Sequence, residues 1–211
     1  MTHGLSGKAL ALSLVTAGLV YAAPSAHAAI GLELRPSFQT VNVGDVVSIG
    51  LYAVADGGVP QDLAAVQVVL GWNPTYLQMM SNSKAGAVSL LTSAFTSPDP
   101  YGLNESLLPQ DGNALYLGFA GLGAPVTATP AGVLLTTLRF EALSPVAFTP
   151  VELRVSGGNP VGFTTVFDGA VPNLDITGSL SGGGVQIVPA PGALGALGVG
   201  IAGACLRRRR R

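Results

Sequence analysis

Histidine stands only at positions 3 and 27, and the one cysteine, Cys205, lies close to the C-terminus. The long middle of the chain therefore has neither. That excludes Ser-His-Asp and Cys-His nucleophilic chemistry there, and the His- or Cys-ligated zinc site with them. It also excludes a disulfide within the central domain. Charge is scarce as well, at 10% of residues against roughly 25% in ordinary soluble proteins. Of the ten Lys and Arg, five are Arg207, Arg208, Arg209, Arg210 and Arg211, and Lys8 is near the start. The middle keeps Arg35, Lys84, Arg139 and Arg154 against all eleven carboxylates, a formal charge of −7. Four scattered cations do not make a phosphate-binding surface, so nucleic acid is excluded as a partner. The glycines at 118–123 lack the Lys-Ser/Thr ending that a phosphate loop needs.

The two ends carry targeting signals. Residues 1–28 read as a secretory signal peptide: Lys8 supplies a positive start, Ala9 to Ala23 is apolar, and Ala26-His27-Ala28 is a small-x-small cleavage site. Cutting after Ala28 leaves Ala29 as the first mature residue. The apolar stretch is short against the ~20 residues that span a bilayer.

At the other end Val188-Pro189-Ala190-Pro191 precedes an uncharged run, Gly192 to Leu206, and then the five arginines. As a helix this run would be about 22 Å long, under the ~30 Å hydrocarbon core. The arginine block would stay cytoplasmic and stop transfer. Val-Pro-x-Pro, a short apolar helix and a terminal arginine cluster resemble the PEP-CTERM sorting signal of Gram-negative bacteria. The resemblance implies a third segment, 188–211, recognised and removed by an exosortase, a multi-pass membrane protease. Pro189, Ala190 and Pro191 then occupy the recognition motif and Arg207 to Arg211 the retention block. This chain departs from the family in having Ala190 where a Glu is usual. The implied route runs through the inner membrane to the cell surface or extracellular matrix. Cys205 reads as a small apolar residue of the tail, with acylation as the rival role.

Between the ends, residues 29–187 read as one all-β domain. Short apolar runs are punctuated by turns every 8–15 residues, as in a sandwich. The pattern predicts strands at Leu32–Arg35, Val46–Ala55, Ala64–Trp72, Val88–Ala94, Ala114–Ala120, Val133–Ala142, Val151–Val155 and Gly184–Ile187. Period-two alternation is clearest in Val47 to Val54 and in Leu134 to Glu141. Gly57-Gly58, Asn73-Pro74, Asp111-Gly112 and Gly157-Gly158-Asn159-Pro160 supply turns. Four pieces in order resemble the cohesin-like jelly rolls: Val41-Asn42-Val43-Gly44-Asp45-Val46-Val47, Trp72-Asn73-Pro74 followed by Leu77, the aromatic strand Leu115 to Ala120, and the strand opened by Gly132. The resemblance implies that sandwich; cohesins of cellulosomes bind dockerins.

Few residues are candidates for chemistry. Asp56, Asp62, Asp99, Asp111, Asp168 and Asp175 read as turn formers rather than as a paired-carboxylate hydrolase, so no catalytic residue is assigned. No cofactor is expected. Calcium is the one ion with candidate oxygens, at Asp111-Gly112-Asn113 and at Asp168 with Asp175, without the spacing of an EF-hand. Asn104-Glu105-Ser106 matches the N-glycosylation pattern, read here as a polar loop. Trp72, Tyr76 and Tyr101 offer a sugar-stacking platform or, on the favoured reading, caps of the core. The sequence thus points to an exported, non-catalytic structural or adhesive protein. Carbohydrate binding and cohesin-type protein binding are the alternatives.

Overall fold

The computed structural model describes residues 29–190 except 98, 100, 105–109, 121–122 and 158–162. The described residues form thirteen strands and no helix. In chain order these are β1 (Ile30–Arg35), β2 (Phe38–Asn42), β3 (Val46–Ala55), β4 (Gln61–Trp72), β5 (Leu77–Ser83), β6 (Thr92–Phe95), β7 (Asn113–Phe119), β8 (Val126–Ala128), β9 (Val133–Ala142), β10 (Val146–Arg154), β11 (Thr165–Asp168), β12 (Thr177–Ser181) and β13 (Gly183–Val188).

Two sheets face each other. One runs β12-β1-β3-β9-β5; the other runs β2-β13-β10-β4-β7-β6, with β8 and β11 also paired to β4. The chain opens in the first sheet with β1 and enters the second with β2, and the peptide between Arg35 and Pro36 at this crossing is cis. At the far end β13 returns parallel to β2, aligning Gly184 with Phe38 and Val188 with Asn42.

The two longest alternating runs form strands over the expected residues. In β3, Val47, Ile49, Leu51 and Ala53 are buried, and in β9 Leu138, Phe140 and Ala142 are. Their period of two places one file of side chains between the sheets. Trp72 on β4 meets Phe140 on β9 edge to face, with centroids 5.4 Å apart. Phe95 and Tyr116 pack alike at 5.7 Å on the second sheet.

The structure corrects several strand expectations. The predicted Val88–Ala94 is a shorter, later β6, and Val151–Val155 is the end of a strand that starts at Val146. Pro150 lies within β10 opposite Gly184. β2, β5, β8, β11 and β12 were not expected. Their runs are short or polar: β5 reads LQMMSNS and buries only Leu77 and Met79, and its place comes from pairing with β9.

The turns at Gly57-Gly58, Asn73-Pro74 and Asp111-Gly112 form. The Asn73 carbonyl accepts from Tyr76 and Leu77, each at 3.1 Å, and Asn73 Oδ1 accepts from Thr75 N at 2.9 Å. Gly112 has φ of 91°, a conformation that glycine adopts without strain. A Cβ there would also meet the Trp72 carbonyl, 2.5 Å away. Most of the turn at 157–160 lies outside the described residues.

Candidate functional site

The six aspartates read as turn formers divide: Asp99, Asp111, Asp168 and Asp175 accept from nearby residues, whereas Asp56 and Asp62 accept from distant strands, and Asp62 lies within β4 rather than at a turn. Asp56 accepts from Ser179 N at 3.0 Å and Asp62 from Thr127 Oγ1 at 2.5 Å. Asp111 accepts from Asn113 N at 3.0 Å. Asp168 accepts from Ala170 N, Val171 N and Gln61 Nε2. Asp175 accepts from both the backbone N and the hydroxyl of Thr177.

At the two stretches weighed for calcium, these bonds occupy one or both oxygens of each carboxylate. Asn113 Oδ1 further accepts from Arg154 Nη1 at 2.6 Å. Among the described residues, no three His, Cys, Asp or Glu gather in metal-binding distance.

Asp99 is buried at its turn. Burial pushes its carboxyl up, but the backbone N–H groups of Asn104, Tyr101, Leu103 and Gly102 outweigh it, so its pKa lies below the ordinary carboxylate value. The same turn holds Asn104, which is buried rather than in a polar loop. Its Oδ1 accepts from Leu115 N at 2.8 Å, and its Nδ2 donates to the carbonyls of Leu115 at 2.8 Å and Thr96 at 2.9 Å. The side chain thus pairs with β7 as a strand residue would, and its amide nitrogen is committed inside the fold.

The three aromatics singled out in the sequence do not form an exposed platform. Trp72 is a core residue, Tyr76 packs partly buried against the core, and Tyr101 is half-buried. Of the sorting motif, Val188 is the last residue of β13, and its carbonyl accepts from Val43 N at 3.0 Å. Pro189 and Ala190 follow it. Pro191, Cys205, Arg207 to Arg211, and the cleavage residues Ala26 and Ala28 lie outside the described residues. No helix among the described residues is long and apolar enough to cross a membrane.

Two surfaces stand out instead. The first is a hollow of about 650 Å³ between the β10–β11 edge of one sheet and β12 of the other, lined mainly by Leu153, Val155, Phe163, Thr165, Thr177 and Leu180. Among the described residues that line it, Asp175 is the one that is ionisable. Val155 and Phe163 at its lip are 70% and 53% exposed, and an isolated bridge between Ser156 and Phe163 holds the lip together. Its apolar walls suit aliphatic or aromatic side chains of a partner.

The second surface is the outer face of the larger sheet, where large side chains lie on glycines. The Phe148 ring covers Gly184, and the Arg154 guanidinium covers Gly71, so that a Cβ at either glycine would collide with it. Arg154 is held in place by Glu152, 3.1 Å away, and by Asn113.

Solved structures similar to this fold include cohesin modules. One is the cohesin of a Clostridium thermocellum cohesin–dockerin complex, at TM-score 0.51 and 15% identity, covering 76% of this chain and 99% of that one. A second is the cohesin module of a Clostridium perfringens family 33 glycoside hydrolase, at 0.53 and 11%, covering 77% and 99%. A third, from Clostridium acetobutylicum, aligns at 0.52 and 12%, covering 77% and 92%. The fold is a cohesin-like jelly-roll sandwich. No protein-family model matches the chain, and no curated protein matches it.

Within this cohesin-like sandwich the exposed apolar residues Val155, Phe163, Phe38 and Phe148 were not found from the sequence. The phase of a short run such as Phe38-Gln39-Thr40-Val41-Asn42 is fixed only by its pairing with β13. Nothing in the run itself says which face of the sheet Phe38 takes.

Proposed function

We propose that the chain is an exported, non-catalytic protein-binding module of cohesin type, displayed at the cell surface or in the extracellular matrix. The observation that carries this reading is the sandwich itself, which aligns over 99% of two solved cohesin modules. The six aspartates are in keeping with it, each being hydrogen-bonded within the fold. One of those cohesins was solved in a complex with a dockerin, and a dockerin-like module is the partner class proposed here. The hollow beside β12, with Val155 and Phe163 at its lip, is the contact we assign to that partner. The leader and tail supply the address: export, passage through the inner membrane of a Gram-negative bacterium, and processing at Pro189-Ala190-Pro191 by an exosortase-like membrane protease.

Titration calorimetry of the purified protein against the dockerin modules and extracellular proteins of the same organism tests this. Saturable one-to-one binding is expected, weakened by Phe163→Ser or Val155→Asp. Absence of binding throughout, or binding that neither substitution alters, contradicts the assignment.

A further inference from the structure

The outer face formed by β2, β13 and the first six residues of β10 is uncharged. Residues 38–42, 146–151 and 183–188 include no ionisable side chain, although the middle of the chain carries eleven carboxylates and four cations. Asp45, which borders the face, is already bonded to the backbone N and side-chain Nδ2 of Asn42, at 2.8 and 2.9 Å.

The face is paved with flat groups. Gly184 belongs to the outward file of β13, because Val185 and Ile187 are in the core and Gly183 looks toward Leu34. Three carbons of the Phe148 ring lie against Gly184, while the side chain stays 57% exposed. On the other flank of Gly184, Phe38 is aligned with it from β2 and is 51% exposed. Two residues along the same file, the Thr40 hydroxyl meets Gln186 Oε1 at 3.1 Å. That bond fixes the orientation of the amide and leaves its Nε2 without a partner among the described residues.

A phenyl ring over glycine, a second one aligned beside it, an oriented amide–hydroxyl pair and the absence of charge together match a neutral sugar. The C–H side of a pyranose stacks on a ring while its hydroxyls exchange hydrogen bonds with amide and hydroxyl groups. A charged ligand finds no counter-charge here, and the net negative domain repels an anionic polymer or bilayer. We propose that this face binds a neutral polysaccharide, with Phe148 and Phe38 as stacking groups and Gln186 and Thr40 as hydrogen-bonding groups. It is a separate surface from the hollow assigned to a protein partner and does not depend on that reading.

Native electrophoresis of the full chain in neutral detergent, through gels containing hydroxyethylcellulose, laminarin, galactomannan or glycogen, tests this. Retardation by at least one polymer is expected, and Phe148→Ala and Phe38→Ala should each weaken it about three- to tenfold, the loss of one aromatic contact. Phe148 also shields Gly184, so a lowered melting temperature in Phe148→Ala would shift the test to Phe38→Ala and Gln186→Ala. Retardation by none of the four polymers overturns the proposal, as does equal retardation of wild type and variants. Binding to phosphatidylcholine vesicles, or a doubling of mass with concentration, abolished by these substitutions in the absence of polymer binding, overturns it too. Those results would assign the phenyl rings to a lipid surface or to a second copy of the chain.

Discussion

Trp72 on β4 sets its indole edge to face against Phe140 on β9, centroids 5.4 Å apart and planes at 66°, and so joins the two sheets. Trp72 ends a strand whose next residues, Asn73-Pro74, turn the chain into β5, itself paired to β9. One side chain thus packs the core and anchors the turn that returns the chain to the opposite sheet. Trp72→Ala should destabilise the domain by about 3–5 kcal/mol, the usual cost of emptying a large aromatic site. Urea unfolding followed by circular dichroism checks this, and a cost below about 1 kcal/mol would contradict the packing.

Asn104 replaces a missing strand residue at the end of β6. Asn104→Ala leaves the Leu115 N–H and two carbonyls without their partner, which should cost about 2–4 kcal/mol. Hydrogen exchange at the Leu115 amide gives a local readout: it should accelerate in the variant relative to the core amides of β3. Unchanged protection of that amide would contradict the pairing.

Asp99 ties acid stability to the same turn. Its folded-state pKa lies below the ordinary 3.8, since the backbone donors outweigh the opposing effect of burial. A group with a depressed folded pKa contributes stability that is complete above the unfolded value and is lost as pH falls through the folded one. The wild type should therefore lose stability below about pH 4 more steeply than Asp99→Asn. Urea midpoints measured from pH 6 to pH 2 compare the two slopes; parallel curves would contradict the turn's role.

Tyr116 sets a limit at the alkaline end. Burial pushes its phenol up to about 12, against the opposing effect of its 2.8 Å hydrogen bond to Ser93. Because this pKa is raised above the unfolded value, the associated stability is complete below about pH 10 and is lost as pH rises toward the folded value. The difference in 295 nm absorbance between wild type and Tyr116→Phe should titrate near the folded value, and a midpoint near that of free tyrosine would contradict the burial.

The sequence was legible where a run is long and one face is buried. β3 and β9 carry buried positions at alternate residues, Val47 to Ala55 and Thr136 to Ala142, and each begins and ends where expected. Short strands with weak patterns, such as β8 with three residues and β12 with five, owe their place to partners distant in sequence. β12 is held to β1 by parallel pairing over a separation of nearly 150 residues, which no local window contains.

The polar residues were legible in chemistry but less so in place. Asp99, Asp111, Asp168 and Asp175 accept from backbone N–H groups of their own turns, as their types imply, whereas Asp62, read the same way, lies within β4. Asn104, read as part of a polar loop, is instead buried because its amide can pair with both the donor and the acceptor of Leu115. The exposed phenylalanines escaped notice because an isolated Phe looks the same in sequence whether it points into the core or out from it. Only the glycine beneath Phe148, one strand away, gives it a surface to lie on.

The reading of the whole chain as an exported, tail-sorted binding module rests on where the mature protein begins and ends. Intact mass of the native protein, recovered from membrane and extracellular fractions, measures both ends at once. A chain starting at Ala29 and ending near Pro189 is the expected result. A mass extending to Arg211 in the extracellular fraction would contradict tail removal, and a retained residue 1 would contradict export.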